Sequence, residues 1–130
     1  MILDSSAVAA VFLEEPEAER LLAAIAAADS VSISAATFLE LGIVLSHRKA
    51  HPMVHALELF FAKLGVRVIP FTDEHRAAAL AAWWRYGRSR SPAGLNFGDC
   101  IVYATAALAD EELLCKGDDF ANTDLRRAAY

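Results

Sequence analysis

Four short apolar stretches, "MIL", "SVSIS", "VRVIPF" and "ELLCK", are each separated from the next by at least one helical pattern, and this alternation constrains the fold most. Strands joined through helices need crossover connections, which leave neighbouring strands parallel. A parallel sheet has to be covered on both faces, so the expected fold is α/β with helices on either side. The helices read as "SSAVAAVFL" after Asp4, a second one starting at Pro16, one over about 35–48, one from Pro52 through Lys63, one capped by Asp73 and running to Tyr86, and "FGDCIVYATAALA". The terminal "AAY" is a candidate fifth, edge strand. At 130 residues and 56% hydrophobic, with no repeat or linker, the chain reads as a single domain over residues 1–130.

In such sheets ligands gather where the carboxyl ends of the strands meet the following helices. Asp4 ends the first strand, and Asp118 and Asp119 follow the last core strand. Two further acids lie on helices. Asp99 has Val102, Tyr103 and Ala106 three, four and seven residues on, and Glu40 has Ile43 and Val44 on its face, so both stand on apolar stripes. A carboxylate there is costly unless paired, neutralised or bound to a cation. For any one of these acids a cap or a surface position is an adequate explanation; converging acids need raised pKa values or a cation. Oxygen donors without a nearby His or Cys suit Mg²⁺ or Mn²⁺ rather than zinc, and such ions also bind phosphate oxygens.

Charge is unevenly divided. Residues 1–46 carry −6, residues 47–90 carry +5 and residues 91–130 carry −4, within a net charge of −5. Passive adhesion to nucleic acid is thereby disfavoured, while the basic middle leaves room for local phosphate contacts. Arg85, Arg88 and Arg90 flank the loop "GRSRSPAG" and are weak candidates for RNA contact. No apolar stretch reaches the roughly 18 uncharged residues of a membrane span, and "MILDSS" lacks the features of a signal peptide, so a cytoplasmic protein is expected. Cys100 and Cys115 form no metal or redox motif and are expected to be buried, reduced thiols. His47, His51 and His55 have helical spacing, but Pro52 interrupts the register. Adjacent Trp83 and Trp84 are expected on different sides of a helix, with packing as their main role.

The segments "MILDSSAVAAVF", "ISAATFLELGIVL", "LNFGDCIVYATA" and "LLCKGDDF", in this order and spacing, resemble the motifs of PIN-domain ribonucleases, and specifically the VapC toxins of VapBC toxin–antitoxin systems. The resemblance spans essentially the whole chain. It implies a three-layer α/β/α sandwich with a parallel sheet of four to five strands. It further implies a Mg²⁺- or Mn²⁺-dependent endoribonuclease that leaves 5′-phosphate and 3′-hydroxyl ends, a homodimer, and neutralisation by a VapB-type antitoxin. By motif, Asp4, Glu40 and Asp99 are the family's acids. The last motif departs from the commoner "T-x-D-x-x-F": Gly117 takes the usual acid's place, which leaves Asp118 or Asp119 as the fourth, with Asp118 placed first. Metal binding falls to Asp4, Glu40, Asp99 and Asp118, and Ser6, Thr37 and Asn96 correspond to accompanying polar residues. Two other readings are a receiver-like phosphoacceptor domain, with Asp73 as acceptor, and a binding module whose acids hold only structural metal.

Overall fold

The computed structural model describes residues 1–130. Its elements are β1 (Ile2–Leu3), α1 (Ser5–Phe12), α2 (Ala18–Ala27), β2 (Ser32–Ser34), α3 (Ala35–Lys49), α4 (Val54–Leu64), β3 (Arg67–Ile69), α5 (Asp73–Tyr86), α6 (Phe97–Ala109) and β4 (Leu113–Leu114). The strands form one parallel sheet in the order β3-β2-β1-β4. Four strands are present. The anticipated fifth strand at "AAY" reduces to a single bridge, Leu113 to Arg127, flanked by Ala128 N donating to Leu113 O at 2.9 Å.

Successive strand residues point to opposite faces of the sheet, and the two apolar clusters divide accordingly. Leu3, Ile33 and Leu114 join Val8, Leu21, Ile25, Leu41, Leu45, Leu57 and Phe61 on one side. Ile2, Leu113 and Cys115 join Ala79, Tyr86, Leu95, Cys100, Val102 and Phe120 on the other. This is the three-layer sandwich. Leu3 and Leu114 are fully buried, and truncating either to Ala costs about 2–5 kcal/mol through lost transfer energy and cavity formation.

Local signals set the helix ends. Gly65 closes α4 in the left-handed region (φ 66°), where a Cβ is penalised. The start of α5 differs from expectation: Thr72, not Asp73, is the cap residue, and the His75 ring receives its backbone N–H at 3.3 Å. Asp73 instead pairs with Arg76 at 2.7 Å within the first turn. This also removes the phosphoacceptor reading. Asp73 is exposed and follows β3, which is an edge strand rather than a central one.

Candidate active site

The central strand β1 delivers Asp4 directly to the carboxyl end of the sheet, where it also caps α1. Its Oδ2 accepts from Ser6 N at 3.1 Å and from the Ser6 hydroxyl. Ser6 Oγ in turn accepts from Lys116 N at 2.9 Å, so the ends of β1 and β4 are tied together through the hydroxyl beneath the carboxylate. Asp4 is 7% exposed. Burial, and then the charge of Glu40, pushes its pKa above the ordinary 3.8, against the opposing pull of the Ser6 hydrogen bonds.

Asp99 is fixed by a reciprocal cap at the start of α6. Asn96 Oδ1 accepts from Asp99 N at 3.0 Å, while Asp99 Oδ2 accepts from Asn96 N at 2.8 Å. Asn96 is thus the positioning residue of this carboxylate. Burial raises the Asp99 pKa, the charges of Asp4 and Asp119 add to the rise, and Arg88 partly offsets it.

Glu40 reaches the same place from α3, and a glycine makes room for it. A Cβ on Gly98 would stand 2.6 Å from Glu40 Oε1. Together with Thr37, which is buried, these residues line a recess that opens past the exposed Phe97. The glycine of "NFGDC" is therefore part of the site. Its position next to Asp99 was the one signal in the sequence, and it is interpretable only once α3 is seen to pack against α6.

Asp118 and Asp119 diverge. Asp118 is 92% exposed at its side chain and lies 3.4 Å from Arg127 Nη1. Asp119 is the one whose charge is felt by Asp99. The structure thus places Asp4, Glu40 and Asp99 at one end of the sheet, with Asp119 exposed but its charge felt by Asp99, while Asp118, the residue placed first by motif, lies beside Arg127. No three of these side chains are gathered closely enough to hold a metal ion as they stand. The donor chemistry fits a hard divalent cation even so: all donors are oxygens, burial and neighbouring carboxylates hold Asp4 and Asp99 above the ordinary carboxylate pKa, and Gly98 keeps space beside Glu40.

The remaining candidates resolve by neighbourhood. Arg85 pairs with Asp124 at 2.9 Å and stacks on Tyr86, and Arg90 stacks on both tryptophans, which leaves Arg88 as the one of the three whose charge is felt by Asp99. Cys100 and Cys115 are buried free thiols, and burial pushes Cys115 up to about 11, so neither is a nucleophile near neutral pH. His47, His51 and His55 belong to no metal-binding group. Trp83 and Trp84, expected to face apart, meet edge to face with ring centroids 5.5 Å apart. No helix is long and apolar enough to cross a membrane.

The sequence matches the PIN domain family over residues 1–125. The ribonuclease VapC36 of Mycobacterium tuberculosis is 45% identical over 126 residues, covering 96% of this chain and 91% of that one. Among solved structures, a toxin–antitoxin complex from Klebsiella pneumoniae superposes with a TM-score of 0.75 at 21% identity, covering 99% of this chain and 97% of that one. VapBC2 from Rickettsia felis, bound to a DNA fragment from its promoter, gives 0.74 at 14% identity with the same coverage, so these two share the fold. With an acidic cluster at the carboxyl end of the sheet and relatives of this identity along nearly the whole chain, the protein belongs to the PIN-domain family, among the VapC ribonucleases.

Proposed function

We propose that this chain is a Mg²⁺- or Mn²⁺-dependent endoribonuclease toxin of the cytoplasm, held in check by a VapB-type antitoxin. The observation that carries the reading is a buried Asp4 and a half-buried Asp99 at the carboxyl end of the sheet, with Glu40 beside Gly98 and no ion pair to any of them, so that burial raises the pKa of both aspartates and neighbouring carboxylate charge adds to it. Such a cluster is unfavourable until a cation joins it. Asp4 and Asp99 would hold the ion, with Glu40 and a fourth acid beside them, and the placement of the side chains favours Asp119 over Asp118 for that fourth role. When bound, the ion supplies charge neutralisation and Lewis acidity toward a phosphodiester.

The protein's own groups do the rest. Ser6 orients the Asp4 carboxylate, and Asn96 locks Asp99 in register. Glu40 and Asp119 orient a water molecule for in-line attack on phosphorus and one of them accepts its proton; as the new P–O bond forms, the bond to the 3′ oxygen breaks and that oxygen takes a proton from solvent. The products are a 5′-phosphate and a 3′-hydroxyl. No side chain becomes covalently attached to the substrate.

Association follows from the outer face of α3, where Leu39, Ile43 and Val44 stand exposed beside Val54 of α4. This apolar patch suits a second copy of the chain, and the neighbouring groove suits an amphipathic antitoxin segment. Light scattering at micromolar concentration is expected to give a dimer.

The decisive test is production of the toxin without antitoxin. Growth arrest, RNA cleavage that stops in EDTA, and recovery of growth with Asp4→Asn at equal protein level are the expected results. An Asp4→Asn protein as toxic as the wild type at equal abundance would refute the nuclease reading.

A further inference from the structure

The loop between α5 and α6 carries an arrangement that catalysis by the acids does not require. The Arg90 guanidinium carbon lies 4.4 Å from the Trp83 ring centroid and 3.9 Å from that of Trp84, while the two indoles contact each other at 75°. Trp84 is 64% exposed, so one wall of this corner is open to solvent. Trp83 is fixed from behind: a Cβ on Gly87 would approach Trp83 O to 2.5 Å and its Cδ1 to 2.8 Å, so only glycine lets the backbone lie against the indole.

The loop itself is stapled at its base. Gly87 bridges Leu95, Leu95 N donates to Tyr86 O at 2.9 Å, and Arg90 N donates to Gly87 O at 3.0 Å. Ser89, between Arg88 and Arg90, is held at φ 63°, a left-handed conformation unfavourable for a side-chain-bearing residue. Elsewhere in the chain, Arg76, Arg85, Arg126 and Arg127 are each paired with a carboxylate. Arg88 and Arg90 are not, and both are exposed. Arg88 and Arg90 flank Ser89 in the same loop, and the charge of Arg88 is felt by Asp99.

We propose that Trp83, Trp84 and Arg90 form a preorganised seat for single-stranded RNA, with Arg90 meeting a backbone phosphate, Trp84 stacking a base, and Arg88 spanning the interval to the acids. The inference rests on the ribonuclease reading and extends it to how the substrate is placed. Stacking on the indoles fixes the guanidinium plane while leaving its N–H donors free, which reduces the ordering cost of a phosphate contact. Exposed aromatic faces next to unpaired arginines match the chemistry of an unpaired RNA strand better than that of an apolar protein segment.

The test is the affinity of a fluorescein-labelled, mixed-sequence single-stranded RNA of 12 nucleotides, followed by anisotropy in EDTA across a salt series. Arg90→Ala is expected to weaken binding roughly tenfold at low salt and to reduce the salt slope by about 0.7. Trp84→Ala is expected to weaken it about tenfold with a slope closer to wild type, and Trp84→Phe to restore most of the loss. In cleavage assays with metal, both losses should fall mainly on KM. Lys63→Ala, which removes a distant charge on α4, should bind as the wild type does. If the wild type cleaves RNA while Arg90→Ala and Trp84→Ala keep its affinity and slope, the seat is wrong and the nuclease reading stands. Loss of antitoxin binding without loss of RNA binding would likewise overturn the seat. A wild type that neither binds nor cleaves RNA would sink both.

Discussion

Two groups of carboxylates sit near the end of β4, and they behave in opposite ways. Glu15 and Glu17, in the turn between α1 and α2, meet the Lys116 ammonium, with Glu17 Oε2 at 3.1 Å. The lysine holds the Glu17 pKa below its ordinary value and is itself raised. Asp4 and Asp99 are raised mainly by burial, with the charge of Glu40 adding to the rise at Asp4 and those of Asp4 and Asp119 adding to it at Asp99. Lys116 touches both groups, but differently: its side chain neutralises the glutamates, whereas only its backbone N–H and carbonyl reach the Asp4 network, through Ser6. A cluster that brings its own cation is a brace. One that leaves the cation out is a binding site, because its folded form carries a repulsion that only an external charge relieves.

The largest expected effect separates the two groups outright. Asp4→Asn or Asp99→Asn should lower RNA cleavage on the order of a hundredfold or more, since several kcal/mol of transition-state stabilisation depends on the bound ion. The metal-free melting temperature should hold or rise. Lys116→Met should do the reverse, lowering the melting temperature slightly while cleavage stays within a few-fold. Equal activity losses in the two variants, measured with a defined RNA at saturating Mg²⁺, would erase the distinction.

Next comes ligand-linked stability. An ion that binds only the folded chain at about a hundred times its dissociation constant adds about 2.7 kcal/mol. Mn²⁺ or Mg²⁺ should therefore raise the melting temperature of the wild type in calorimetry, and do so far less in Asp99→Asn. The Glu15–Glu17–Lys116 brace should contribute nothing to this shift. A full shift retained in Asp99→Asn would place the ion elsewhere.

Gly98→Ala sharpens the picture at a smaller scale. The new Cβ would meet only the end of the flexible Glu40 side chain, so the fold can accommodate it by moving the carboxylate aside. Stability should rise by a few tenths of a kcal/mol from the reduced freedom of the unfolded chain. Cleavage should fall about tenfold, because Glu40 is displaced from the other acids. An unchanged rate would show that Glu40's position is immaterial.

The smallest effect is in pH. Asp4 and Asp99 have folded pKa values above 3.8, so the folded chain binds their protons more tightly than the unfolded one. Their destabilisation sets in as pH rises past 3.8 and is complete above the folded values; it is relieved as pH falls back through them. Glu17 and Asp124, with lowered pKa values, act in the opposite sense and lose their contribution on acidification. The stability difference between wild type and Asp99→Asn in EDTA should therefore shrink as pH is lowered from neutrality toward the unfolded value of 3.8. A constant difference down to about pH 4 would contradict the raised folded pKa of Asp99.

Much of this was legible in the chain itself. The order of strands and helices follows from apolar stretches, prolines and glycines, because those signals act within a few residues. That Asp4 ends a strand, and that Asp99 and Glu40 stand on apolar stripes, follows from the periods of 2 and 3.6. Contacts across elements were another matter. Whether Asp118 or Asp119 turns toward Asp99 depends on the path of a short turn after β4, and Arg127 claims Asp118 only because the C-terminal segment returns to bridge Leu113. The fifth strand fails because that return is limited to one bridge. Trp83 and Trp84 meet against the simple expectation from helix geometry, with Arg90 lying over both rings and Gly87 against Trp83. Periodicity fixes the face on which a side chain stands; the packing of whole elements decides what that face meets, and the site at the sheet end is made of such meetings.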